Sequence, residues 1–334
     1  MDIYGNKYRT AEADVVFSNR GFSYKLDCGW AKWPEYLRKS TVVSGCFDCR
    51  GNLYVSTRDI NNPIIVFDAN GNYQQSLGQG LFSDDLHGIF VTPRNTVLCT
   101  DKKRHIVREI DADGQLLRDF GVINHPSDTG YEQDVCSWLK REYGIPNDIH
   151  FNAAFSPVDG LRTIKRTGAP FNQPAKMIES STGDFFAADG YGNAAIHKFS
   201  ADGTLTKTWG NPGNNDGEFR LPHGLWIDRM ERLWLADREN SRIQVFSTAG
   251  ELLAVIKDLI YKPADIWANT ENVFVGEVDG GITILDMDMN IVSQLGYENS
   301  PLMAHGICGD EQGNLYIQTL NFHKTGNILK LIRV

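Results

Sequence analysis

Three short stretches place a histidine before a glycine at the head of an apolar run: "DLHGIF" (85–90), "LPHGLW" (221–226) and "MAHGIC" (303–308). Imidazole is the commonest side-chain ligand of divalent metals, and three neutral imidazoles with a vacant fourth position form a donor set of catalytic zinc. His87, His223 and His305 are therefore candidate ligands, provided that the fold brings them together. Zinc is the first expectation, and iron or manganese also accepts imidazole. The other histidines (105, 125, 150, 197 and 323) share no such setting.

The elements that would position them are internal repeats. "GIFVTPRNTVLCTDKKRHIVREIDADGQLLRDFG" aligns with "KMIESSTGDFFAADGYGNAAIHKFSADGTLTKTWG", and with segments beginning "GCFDCRG", "GLWIDRM", "DIWANTE" and "GICGDEQ". Each unit reads strand, polar turn, strand, connection, strand, a turn such as "DADG", then a last strand. Asn-Gly and Asp-Gly between β-branched and aromatic runs are hairpin signals. Six units of about 40 residues, each too small to bury its own face, predict an all-β, six-bladed β-propeller over residues 1–334. The sixth unit ends after its third strand, "NILKLIRV", and "FSYKLDCGW" (22–30) is expected to add the fourth and close the ring. Residues 122–173 lack the blade pattern and read as an insertion, with a helix in "EQDVCSWLKREYG" burying Val135, Trp138 and Leu139. Its place between blades 2 and 3 makes it a candidate lid; a degenerate seventh blade is the alternative.

Aligned at the first strand, the units read Ser44, His87, Ala175, His223, Ala264 and His305. The residues 14 positions on, Asp101, Asp189, Asp237 and Thr319, support this alignment, and the three aspartates read as turn-stabilising. First strands line the channel of a propeller, and alternate blades of six lie a third of a turn apart. Three imidazoles then converge on the axis. The residues just after the second strands ring the same mouth: Arg58 in "STRD", Tyr191 in "ADGYGN" and Arg238 in "ADREN". Arginines suit a substrate carboxylate. A phenol beside a dication gives up its proton more easily, which makes Tyr191 a candidate base.

Composition narrows the partners. A net charge of −9 argues against a phosphate-binding surface. No apolar run reaches membrane-spanning length, and no basic-then-apolar leader is read at the start. Cys28, Cys46, Cys49, Cys99, Cys136 and Cys308 form no disulfide framework, and the lone C-x-x-C at 46–49 has no second pair to complete a zinc site. A small-molecule carboxylate in a reducing cytoplasm is the expected partner and place, with neither nucleic acid nor membrane.

These repeats resemble NHL repeats. The run "DGYGNAAIHKFSADGTLTKTWG", with "GEFRLPHGLWID" and "LWLADRENSRIQVFS", resembles peptidyl-α-hydroxyglycine α-amidating lyase and its bacterial relatives. The likeness is best over 174–250 and traceable over about 44–320. It implies a six-bladed propeller and a zinc ion on three histidines falling at His87, His223 and His305. It implies substrate-binding or catalytic arginines at Arg58 and Arg238 and a catalytic tyrosine at Tyr191. The implied reaction splits an α-hydroxyglycine carbinolamide into an amide and glyoxylate. Where that family has an aspartate that helps hold a structural calcium this chain has Gly306, and a cysteine is replaced by Gly192. Calcium is not expected, nor is a role in hormone amidation. The expectation is a zinc-dependent lyase. The alternatives are a metal-dependent hydrolase or hydratase, and a non-catalytic NHL interaction platform.

Overall fold

The polar turns create the hairpins. Asp48, Asp68, Asp111, Asp228, Asp286 and Asp310 each accept the backbone N–H groups two and four residues on, folding the aspartate over its own turn. Gly51, Gly71, Gly114 and Gly313 lie three positions after four of these aspartates at φ between 76° and 83°, where a side chain would be strained.

A computed structural model describes residues 15–149, 156–297, 302–320 and 328–334. Among them the strands form six antiparallel sheets. Blade 1 holds Val42–Phe47, Leu53–Thr57, Ile64–Phe67 and Tyr73–Leu77; blade 2, Leu86–Val91, Val97–Asp101, Ile106–Ile110 and Leu116–Phe120. Blade 3 holds Pro174–Glu179, Phe185–Asp189, Ala195–Phe199 and Leu205–Trp209; blade 4, Pro222–Ile227, Arg232–Asp237, Arg242–Ser247 and Leu252–Ile256. Blade 5 holds Pro263–Ala268, Asn272–Glu277, Ile282–Asp286 and Ile291–Leu295. Blade 6 combines Gly306–Gly309, Leu315–Gln318 and Ile328–Arg333 with Phe22–Asp27, and Val16–Asn19 adds a fifth strand that the sequence reading did not anticipate. The chain is a six-bladed β-propeller.

Each first strand packs on the first strands of the two neighbouring blades, and the series returns from blade 6 to blade 1, so they ring an axis. The core lies between blades: Leu86, Ile89 and Val97 pack on Tyr54, Ile64 and Val66, and the same arrangement recurs around the ring. Phe22–Asp27 pairs antiparallel with Ile328–Arg333, joining the two ends of the described chain in one sheet.

The described part of 122–173 contains no strand. Its helix, Val135–Tyr143, is capped by Asp134 and stopped by Gly144 at φ 65°, and it buries Val135 and Trp138 while Leu139 stays half-buried. A 3-10 turn, Pro157–Thr163, follows. The insertion reaches the mouth of the ring, where Leu161 and Ile164 pack with Tyr191 and Leu221. No helix among the described residues is long and apolar enough to cross a membrane.

Candidate metal centre

His87 and His223 are second in their first strands and His305 directly precedes its own. The strands bulge just after the first two, between Leu86 and Ile89 and between Pro222 and Leu225, which turns each ring inward. Each Nδ1 is tied to a carbonyl of the next blade: His87 to Ala175 at 2.8 Å, His223 to Ala264 at 2.6 Å and His305 to Val43 at 2.9 Å. A carbonyl only accepts, so each Nδ1 carries the proton and each Nε2 presents a lone pair. The glycines after the histidines now have a reason. A Cβ on Gly88 would lie 2.5 Å from the Ala175 oxygen, and one on Gly224 2.5 Å from the Ala264 oxygen, which are the carbonyls that orient the rings.

The three ring centroids lie 4.8, 4.9 and 5.1 Å apart and the ligand atoms within 4.8 Å of one another. Among the described residues, the hydroxyl that reaches their Nε2 atoms is that of Tyr191. Tyr191 Oη is 3.1 Å from His87 Nε2 and 3.0 Å from His223 Nε2, while His305 Nε2 has no hydrogen-bond partner. Three buried lone pairs therefore share a single proton donor, a shortage that a cation would relieve. Burial pushes the His305 pKa down to about 3, and burial with the neighbouring rings holds His87 and His223 well below the usual range. Neutral imidazoles in this arrangement fit a borderline divalent ion such as zinc. Among the described residues this is the only group of three or more histidine, cysteine, aspartate or glutamate side chains placed to hold a metal ion.

One backbone hydrogen bond recurs at the mouth. The N–H groups of Arg58, Lys102, Tyr191, Arg238 and Val278 donate to Thr41, Asp85, Gln173, Leu221 and Lys262, the residues just before the first strands. Arg58, Tyr191 and Arg238 are thus brought to equivalent places, as the sequence predicts. Arg238 Nη1 reaches Tyr191 Oη at 3.4 Å, and its Nε lies 3.3 Å from Glu239 Oε1. Arg58 lies 3.5 Å from Asp85. Lys102, which sequence reasoning passed over, holds Asp85 at 2.7 Å with its ammonium 4.5 Å from the centre of the Tyr191 ring. The position after strand-ending Asp101 was the available signal.

The insertion fixes Tyr191 through its backbone. Gly192 N–H donates to Asn172 O at 2.9 Å, and Thr129 Oγ1 donates to Gly192 O at 2.6 Å. In blade 1 the position equivalent to the histidines is Val43 rather than Ser44, since Val43 provides the carbonyl that Ala175 and Ala264 provide elsewhere. "Ser-Gly" at 44–45 imitates "His-Gly" by one residue. Asp101, Asp189 and Asp237 are buried and accept the Ser83, Asn172 and Arg220 N–H groups, anchoring the chain as it enters each blade.

The NHL repeat family matches residues 219–246. The human NHL repeat-containing protein 3 is 28% identical over 241 residues, spanning 69% of this chain and 58% of that protein. Peptidyl-glycine alpha-amidating monooxygenase B of Xenopus laevis is 42% identical over 67% of this chain and 25% of its own length. Peptidyl-alpha-hydroxyglycine alpha-amidating lyase 1 of Drosophila melanogaster is 38% identical over 25% of this chain and 17% of that protein. The chain therefore spans less than two thirds of each of these relatives. Among solved structures, virginiamycin B lyase from Staphylococcus aureus is similar in fold, with a TM-score of 0.58 at 15% identity over 93% of this chain and 100% of the other. The chain is accordingly a six-bladed propeller with an NHL repeat at residues 219–246 and with homologues named peptidyl-alpha-hydroxyglycine alpha-amidating lyase.

Proposed function

We propose that the chain is a zinc-dependent lyase that splits a carbinolamide-like carboxylate of the α-hydroxyglycine type into a carbonyl product and an amide. The observation that carries this reading is the convergence of three buried, carbonyl-oriented imidazoles on the Tyr191 hydroxyl. His87, His223 and His305 would hold the ion, whose contribution is Lewis acidity toward the substrate hydroxyl. Tyr191, as the phenolate that a bound dication would favour, takes the hydroxyl proton and becomes the phenol. The O–H electron pair becomes the second bond of the new carbonyl, the carbon–nitrogen pair departs with nitrogen, and the phenol returns the proton to that nitrogen.

Arg58 and Arg238 bind the substrate carboxylate, a reading supported by Arg238 Nη1 standing 3.4 Å from the Tyr191 hydroxyl. The insertion excludes water from the mouth, a reading supported by the packing of Leu161 and Ile164 on Tyr191. A reducing cytoplasm suits six cysteines that are all free thiols. The partner is a small carboxylate rather than nucleic acid or membrane, in keeping with the net charge of −9.

The test pairs elemental analysis with an assay of an α-hydroxy-N-acylglycine beside simple esters and lactones. The expected result is bound zinc and glyoxylate release, both lost in His223→Ala. Ester or lactone turnover without glyoxylate would assign hydrolysis to the same site. A protein free of tightly held metal would instead be the interaction platform. Stoichiometric metal in His223→Ala would refute the ligand set.

A further inference from the structure

The carbonyls that orient the rings belong to Val43, Ala175 and Ala264, and the residues that follow them are Ser44, Lys176 and Asp265. At the same level the histidine-bearing strands offer only glycine, and the space left is filled from the other three blades. A Cβ on Gly88 would meet Lys176 Cα at 2.7 Å, and one on Gly224 would meet Asp265 Cα at 2.6 Å. Lys176 Nζ spans from blade 3 to blade 5 and donates to Asp265 Oδ1 at 2.6 Å, both side chains being 6% exposed or less. Asp265 also accepts the N–H groups of Ile266 at 2.9 Å and, in blade 6, Ile307 at 3.4 Å. Lys176, Asp265 and Ser44 line, with the three histidines, a small cavity of about 10 Å³, room for about one water.

A buried ion pair contributes little net stability, because desolvation offsets most of its attraction. Its value here is geometric. Each member is one peptide bond from a carbonyl that sets a ligand: Lys176 from the acceptor of His87, Asp265 from the acceptor of His223. We infer that Lys176 and Asp265 are positioning residues, an axial strap that holds the Ala175 and Ala264 carbonyls at the spacing which makes His87 and His223 present Nε2 to a shared ion. His305 takes its orientation from Val43, which precedes Ser44 and is outside the strap. The inference rests on the proposed metal centre only for its affinity readout.

The experiment uses the full chain with ¹⁵N-labelled histidine, metal-free, and follows the protected ring N–H signals by NMR; zinc affinity is then measured by chelator competition. Lys176→Met alone leaves a buried carboxylate without a counter-charge and can fail to fold. The decisive variant is therefore Lys176→Met/Asp265→Leu, which removes both charges. Asp265→Asn, which keeps the shape and a hydrogen bond, is the milder companion. The expected result is a folded double variant that loses the protected ring signals of His87 and His223 but keeps that of His305, with zinc affinity down roughly 10–100-fold. Asp265→Asn should weaken the same two signals. Unchanged signals with wild-type zinc affinity overturn the inference, and so does equal loss at all three rings. If the wild-type chain binds no zinc, the proposed function falls and the ring signals alone decide for or against the strap.

Discussion

His305 is pushed down to about 3 by burial, with Arg238, Arg58 and Lys102 adding repulsion against its protonated form. An unfolded histidine titrates near 6.5. As pH falls through 6.5 the unfolded chain takes up a proton that the folded chain refuses, so this contribution to stability is whole above 6.5 and drains away toward 3. His87 and His223 are lowered in the same direction, burial first and neighbouring rings second. The metal-free protein is therefore expected to lose stability between about pH 7 and about pH 4 more steeply than a His305→Gln variant, as read by urea midpoints. Equal slopes would mean that the ring is not held neutral. At the same scale, Tyr191→Phe removes the one hydroxyl shared by His87 and His223 and leaves the ligands in place. Zinc content should be retained while glyoxylate release falls by about 10²–10⁴-fold. Retained turnover would assign the proton transfer to another group.

At the scale of the strand, what matters is how closely neighbouring first strands approach. A Cβ at Gly224 would meet backbone atoms, Ala264 O at 2.5 Å and Asp265 Cα at 2.6 Å, and the displaced carbonyl is the one bound to His223. Gly224→Ala is therefore expected to cost about 1–3 kcal/mol and to weaken zinc binding as well. Gly306→Ala is the control. There the nearest atom is the end of the Gln318 side chain at 2.6 Å, with the Val43 carbonyl farther off at 3.1 Å, so the chain can yield. Thermal midpoints and chelator competition compare the two, and equal effects would remove the carbonyl from the explanation. Strand-level pattern was also what the sequence revealed best. The turn aspartates and the repeated "His-Gly" located the blades and all three rings, since both signals are local. The Val43 alignment was not legible, because "Ser-Gly" at 44–45 reads like "His-Gly" until the bulges shift the pairing. Nor was the Lys176–Asp265 contact, between residues that only a closed ring brings together. Lys102 was legible in principle from its place after Asp101, but only once Arg58 and Arg238 are seen to make equivalent backbone hydrogen bonds, to Thr41 and Leu221.

For the whole molecule, the ring exists only when its two ends share a sheet, and that sheet belongs to the blade preceded by His305. Phe22–Asp27 brings Tyr24 and Leu26, both essentially inaccessible to solvent, into a core with Ile328, Leu331 and Trp267, so blade 6 is held to blade 5 by residues from the start of the chain. Removing everything up to Asp27 would strip Ile328–Arg333 of its outer partner and leave an open strand edge. The truncated protein should self-associate, and its zinc content should fall because His305 loses the neighbours that hold its blade in the ring. A synthetic peptide spanning residues 15–30, added in trans, should pair with the open edge and restore both the monomer and the metal. Leu26→Ala offers a graded version, expected to cost about 2–5 kcal/mol through the cavity it leaves. A truncated chain that stays monomeric, keeps stoichiometric zinc and melts at the wild-type temperature would show that closure and metal site are independent, since the interlocked first strands would then be holding the ring without the latch.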